Sequence, residues 1–368
     1  MMRDTGPATR DAAVRRLGEQ WIRELARDGD GSFVCSPAGL WLALAAVAAG
    51  ARGETAAELR ALLGVADREA AAVVTGAARD WGGTGALRVA TRVWARVPVL
   101  PEYEQALPDI AFGPMDPHAM DAWVCERTGG LIERLPLEPA GDVALALVNA
   151  LALKALWERP FDAHRTADVL FTDTAGRTRP AATMHASVPV RDAWTVAGAD
   201  VVELRCRTEP DGAAPARIRL VLGERGAGPA QVLPAAWAPR EGRAAPDADQ
   251  VTIGLPRFTL RTKVQATEQL PALGLRLATS AAEADFSGLS SQSLHVSDVV
   301  QEAVLKIAEA GVEAAAVTVV AMRSGAAPRP RVVRHIAFDR PFGVVVLDGA
   351  SDVPLVAGWQ ADAPTYDG

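Results

Sequence analysis

Five histidines, His118, His164, His185, His295 and His335, stand singly along the chain. A histidine with no partner nearby in sequence reads as a surface or hydrogen-bonded side chain rather than a base or a metal ligand. The carboxylates are equally dispersed, and no isolated pair forms an acid/base couple. Cys35, Cys125 and Cys206 are odd in number and far apart, so they read as free thiols filling small apolar spaces. There is no GxSxG elbow, no phosphate loop ending in GKS or GKT, no HExxH and no GxGxxG. Nothing in the pattern calls for a metal, a cofactor or a catalytic residue, although catalytic groups converge in space rather than in sequence.

The residues with unusual potential are small ones. Glu309, Ala310, Gly311, Val312, Glu313, Ala314, Ala315, Ala316, Val317 and Thr318 follow an alternating apolar run, Val299–Ile307. They lead into Val319–Gly325 and then Pro328 and Pro330, which hold their surroundings extended. Propensity alone makes Ala303–Ala316 a helix interrupted at Gly311. The competing reading is a segment that changes partners. Alanine, glycine and valine side chains can slide between two existing strands and leave no polar group stranded in the core. A charge or a bulky group at the inward positions would block such an exchange.

Such a segment needs a sheet to enter and helices to hold that sheet. Ala12–Asp28 has the three-to-four apolar spacing of an amphipathic helix. Ser36 and Pro37 form a cap and first turn for Leu40–Ala49, which is apolar on every face and so belongs inside the protein. Glu54–Leu63, Ala70–Trp81 and Ala119–Leu135 are further helices, and Leu87–Val97 is a strand. Val143–Leu153 is apolar throughout and fits a buried helix or a buried strand. Beyond Val169 come short strands: Val201–Leu204, Ile218–Leu222, Val251–Leu260, Val332–Ile336, Gly343–Leu347 and Pro354–Trp359. Helices first and strands later predict an α+β fold.

Composition narrows the partners. The 368 residues carry 38 basic and 45 acidic side chains, a net charge of -7, which argues against a nucleic-acid backbone as ligand. Lysine occurs only at 154, 263 and 306, a composition bias rather than a functional signal. Leu40–Ala49 and Val143–Leu153 are too short to span a bilayer, so no membrane partner is expected. The polar N-terminus has no secretory apolar run, which makes a cytoplasmic location the expectation.

Several separated segments, in order, resemble the serpin family, here a bacterial-type member. They are Phe33–Pro37 with Gly50–Thr55, Asn149–Phe161, Phe171 with Met184, Glu309–Thr318, and Phe338–Phe342. The resemblance covers essentially the whole chain. It implies one serpin domain over 1–368, with a helix-rich N-terminal part, a large central mixed sheet, smaller sheets and an exposed reactive loop near 309–337. It also makes Val143–Leu153 a central strand. The implied function is suicide inhibition of a serine (possibly cysteine) protease by a monomer without cofactors. The protease cuts the loop, and the loop then enters the sheet as a new strand.

On this resemblance the hinge is Glu309, Gly311, Val312, Glu313, Ala314, Ala315, Ala316 and Thr318. Val312 replaces the usual Thr or Ser, and Thr318 keeps the family's residue. The scissile bond falls among Met322, Arg323, Ser324, Gly325 and Ala326, in a loop longer than is usual. In the cluster beneath the sheet opening, Ser36 and Asn149 match; Gly39 replaces a serine and Gln301 a histidine. Those departures keep two alternatives open: a non-inhibitory binding or scaffold protein, and a serpin fold recruited to small-molecule binding or catalysis.

Overall fold

The computed structural model describes residues 6–29, 31–82, 87–130, 132–134, 143–153, 155–208, 214–312 and 331–366. In chain order the first half forms α1 (Pro7–Asp28), β1 (Phe33–Cys35), α2 (Pro37–Ala48), α3 (Gly53–Leu63), α4 (Arg68–Gly82) and β2 (Leu87–Ala95). It continues with α5 (Pro101–Ala106), β3 (Ala111–Pro114), α6 (Pro117–Thr128), β4 (Leu145–Leu153) and β5 (Ala155–Leu156). The second half is mostly strand: β6 (Ala167–Thr172), β7 (Thr178–Val188), β8 (Ala193–Val196), β9 (Ala199–Arg205) and β10 (Arg217–Leu222). After the short α7 (Pro229–Val232) come β11 (Gln250–Pro256), β12 (Phe258–Gln265), β13 (Val300–Ile307) and β14 (Gly311–Val312). The last strands are β15 (Val333–Ala337), β16 (Phe342–Leu347) and β17 (Pro354–Gln360).

Three layers of sheet result. One is antiparallel, in the order β1-β17-β16-β10-β9-β8, and a second runs β15-β11-β7-β6 with a parallel β11/β15 pair. The third, mixed sheet comes in two halves, β3-β2-β4 and β12-β13-β14-β5. Only Lys154 separates β4 from β5, so the halves are joined at one end by continuity of chain. Elsewhere β4 and β13 run as neighbours with no ladder between them among the described residues. Across the outer face, α6 helps build a cluster with Trp94, Ala146 and Val148, against which Val304 of β13 also packs.

Helix α2 anchors this arrangement. Ser36 caps it, accepting the Gly39 N–H at 2.9 Å, with Pro37 in the first turn. Its apolar residues are buried around its circumference, against α1, α3 and α4 and against strands β4 and β17. Trp41 is fully buried and donates its indole N–H to the Leu63 carbonyl at 3.0 Å. Around it lies a core that includes Leu17, Trp21, Phe258 and Phe342.

Three expectations change. The run Val251–Leu260 is two strands in different sheets, because the chain breaks between Pro256 and Phe258. The helix expected over Ala119–Leu135 stops at Thr128, where Gly129 takes the left-handed conformation (φ 64°) as a C-cap. The helix that propensity gave from Ala303 is strand β13: alternate residues Ala303, Leu305 and Ile307 are buried, and that burial outweighs local preference. Among the described residues no helix is long and apolar enough to cross a membrane.

Gly50, just past α2, has a tight neighbour. A Cβ there would lie 2.5 Å from Leu289 Cβ, and the Gly50 carbonyl accepts the Gly288 N–H at 3.0 Å. Gly50→Ala is therefore expected to lower unfolding free energy by about 1–3 kcal/mol in urea titration. An unchanged midpoint would show that this contact yields at no cost.

Candidate functional site

The site is the head of the slot between β4/β5 and β13. Strand β13 ends at Ile307, the chain turns through Ala308–Ala310, and β14 runs back between β13 and β5. Ala308 N–H donates to Gly311 O at 3.0 Å and Gly311 N–H to Ala308 O at 3.3 Å, closing the hairpin. Val312 then stands opposite Ile307 on one side and Ala155 on the other, antiparallel to both. Its side chain is only 1% exposed. An uncharged β-branched residue suits that place, whereas a charge would be buried without a partner.

The turn is held by donors from the end of β5. Trp157 N–H donates to Ala310 O at 3.0 Å, its indole N–H to Ala308 O at 2.9 Å, and Phe161 N–H to Glu309 O at 2.8 Å. All three turn carbonyls are therefore satisfied, as buried backbone requires. The indole is buried and meets Phe161 edge-on, with centroids 6.5 Å apart. On its other flank Trp157 bridges to Cys206, and Arg207 N–H donates to Leu156 O at 2.7 Å. The Glu309 carboxylate accepts the Thr166 hydroxyl at 2.6 Å and lies 3.6 Å from Arg257.

Farther down, Gln301 of β13 and Ser36 come together. The Gln301 carbonyl accepts Ser36 N–H at 2.6 Å, and its amide donates to Ser36 O at 3.1 Å. The Ser36 hydroxyl donates to Leu355 O at 2.6 Å while accepting from Gly39. A side chain able both to donate and to accept thus ties β13 to the start of α2. The Asn149 side chain lies outside the described residues, as do Glu313, Ala314, Ala315, Ala316, Thr318 and the bonds between Met322 and Ala326. Beyond the loop, Phe338 N–H donates to Gly254 O at 2.9 Å, and Phe342 packs edge-on against Phe171, Phe258 and Phe338.

Other groups meet in ways that sequence spacing does not reveal. His185 of β7 and His335 of β15 lie 6.4 Å apart with nearly parallel rings, on strands that flank β11. Only the order β15-β11-β7 brings them together, and Thr252 hydrogen-bonds His335 Nδ1 at 2.9 Å. Burial, then His335 and Arg165, lower the His185 pKa. The cysteines are free; burial pushes the Cys206 thiol up to about 12 and raises that of Cys35 as well, which leaves both unreactive. Among the described residues no three ligand-type side chains could hold a metal.

Among the described residues β4 and β13 share no ladder, and a two-residue strand enters between β5 and β13 at one end. The model of the Serpin (serine protease inhibitor) family matches residues 12–362, and the chain belongs to the serpin family. It is 30% identical to Serpin-Z2B of Oryza sativa subsp. japonica over 94% of this chain and 95% of that one. It is also 30% identical to Serine protease inhibitor 42Dd of Drosophila melanogaster, over 86% and 88%. Serpin48 of Tenebrio molitor has the same fold, with a TM-score of 0.80 at 23% identity over 98% of this chain and all of that one.

Gln301→Leu removes both bonds to Ser36 and leaves the buried Ser36 N–H without a partner, while the Ser36 carbonyl keeps the Leu40 N–H at 3.0 Å. We expect a loss of about 1–3 kcal/mol in urea titration, and no change would make the contact incidental. His185 gives a pH signature. Its folded pKa is depressed, so the unfolded chain takes up a proton more readily. The stability is present above the ordinary histidine value of 6.5 and lost as pH falls through the folded value. His185→Gln should flatten the melting temperature between pH 7.5 and 5, within about that window.

Proposed function

We propose that the protein is a suicide inhibitor of a serine protease and not a catalyst. The observation that carries this reading is the seated pair Gly311–Val312, flanked by β5 and β13 where the rest of β4 and β13 share no ladder. A protease cuts the segment after β14 and forms an acyl-enzyme. The freed end is drawn between β4 and β13, and the protease is carried with it. Each ladder bond gained contributes roughly 0.5–1.5 kcal/mol net, so about ten residues of new strand supply a large driving force. The uncut chain forgoes this because both ends of the segment are held, one by Trp157 and Phe161 and the other by β15 and Phe342.

The composition of the segment supports the same reading. Alternate residues Val312, Ala314, Ala316 and Thr318 are small enough for the inner face, and Ala315 and Val317 for the outer one. Relatives named as serine protease inhibitors point to a protease partner. The same reading makes the protein a single domain over 1–368, a cytoplasmic monomer with no cofactor, nucleic-acid or membrane partner. The resemblance is further read as that of a bacterial-type member of the family.

Cutting the segment with a broadly specific protease should raise the thermal midpoint well above that of the intact protein. Val312→Arg should turn inhibitor into substrate, seen as loss of the denaturant-resistant protease complex on a gel. An unchanged midpoint would point to the binding or scaffold alternative.

A further inference from the structure

The chain that leaves β5 and holds the turn is also one wall of a cavity. About 230 Å³ of space lies between residues 157–165, the end of β7 from His185 onward, and Glu203–Arg205 of β9. Glu158 N–H donates to Arg205 O at 2.9 Å, which fastens the first wall to the third. Pro160, Ala186, Val188 and Leu204 supply apolar lining beside Trp157 and Phe161. The strand exchange proposed above makes no use of this space.

Four arginines and four carboxylates line it, and they differ in whether they are already partnered. Asp192 and Glu203 are buried. Asp192 takes Arg205 at 2.9 Å and Arg191 at 3.8 Å, and Glu203 takes Arg219 at 3.0 Å and Arg217 at 3.7 Å. Both carboxylates are thereby neutralised from within the protein. Asp162 caps its own turn, accepting His164 N–H at 3.0 Å, and Glu158 is exposed to water. Arg159 and Arg165 form no ion pair among the described residues. A free guanidinium offers a planar fork of N–H donors that matches a carboxylate.

We propose that this cavity binds a small organic anion, its carboxylate on Arg159 and Arg165 and its apolar body against Pro160, Val188 and Leu204. His185 makes the site sensitive to pH. The turn Ala163–Arg165 packs on β7, and burial, then His335 and Arg165, lower the His185 pKa. An anion on Arg165 cancels that repulsion, so His185 takes up a proton more readily in the complex. Affinity then rises as pH falls. The other charges around His185 are the cavity's own, Glu158, Arg159, Asp162, Arg191, Asp192, Glu203 and Arg205. Strand β11 sets Gly254 opposite His185, and β6 starts short of it, with Ala167 opposite Thr183. Occupancy also reaches the turn, because Trp157 and Phe161 in the same wall donate to the Ala310 and Glu309 carbonyls.

The test uses the full, uncut chain with phenylacetate, acetate and inorganic phosphate as probes, measured by calorimetry. Phenylacetate should bind about tenfold more tightly than acetate or phosphate, because only it brings an apolar body. Arg159→Gln and Arg165→Gln should each weaken it about tenfold. Affinity should rise about threefold or more from pH 8 to pH 6, and His185→Gln should remove that rise while binding persists at pH 8. Bound phenylacetate should slow amide exchange at Trp157 and Phe161. No saturable binding, or arginine variants that bind as wild type does, would remove the site. Phosphate binding as tightly as phenylacetate would reduce it to surface charge, and an affinity independent of pH would take His185 out of it. None of these outcomes involves cutting the segment, so strand exchange stands or falls separately.

Discussion

The turn carbonyls of Glu309 and Ala310 take their donors from Phe161 and Trp157, and the Trp157 indole adds a second donor to Ala308 O beside the Gly311 N–H. That exchange decides where the chain leaves β13 and the direction in which it returns. Without it, the half-buried carbonyls of Glu309 and Ala310 would lose their protein donors at the head of the sheet. With it, Gly311 and Val312 are placed between β5 and β13 in a single register. The seated pair is a two-residue strand, antiparallel to both of its neighbours.

The rest of the molecule holds the two half-sheets beside it. Helix α2 is deeply buried, and its capping residue Ser36 is tied to β13 through Gln301 and to Leu355 through its hydroxyl. On the outer face, α6 and Val304 share one apolar cluster across the seam, so the two half-sheets stay adjacent without pairing. Unpaired edges are ordinarily a liability, because they invite another strand. In the proposed mechanism, the strand they invite is the cut segment of the same chain. The small side chains of the segment fit that proposal.

Much of this was legible in the sequence. The cap at Ser36-Pro37, the all-round apolar α2 and the alternation in Val299–Ile307 each signal their element through local chemistry. Gly129 ended α6 earlier than its apolar pattern implied, and a break before Phe258 sent one apolar run into two sheets. Propensity misled at Ala303–Ile307, where burial of alternate residues on one face outweighs alanine's helical preference. The resemblance singled out Ser36 and Gln301, but their double hydrogen bond depends on packing between residues 265 positions apart. The pairing of His185 with His335 left no trace in spacing, because sheet order alone creates it.

Strand exchange is tested most directly by amide hydrogen exchange in Leu145–Leu153 and Val300–Ile307, compared before and after the segment is nicked. A new strand between them would pair the free inner edges of both, so exchange should slow along β4 and β13 together. Unchanged exchange in both strands, in protein shown by mass to be fully nicked, would contradict it.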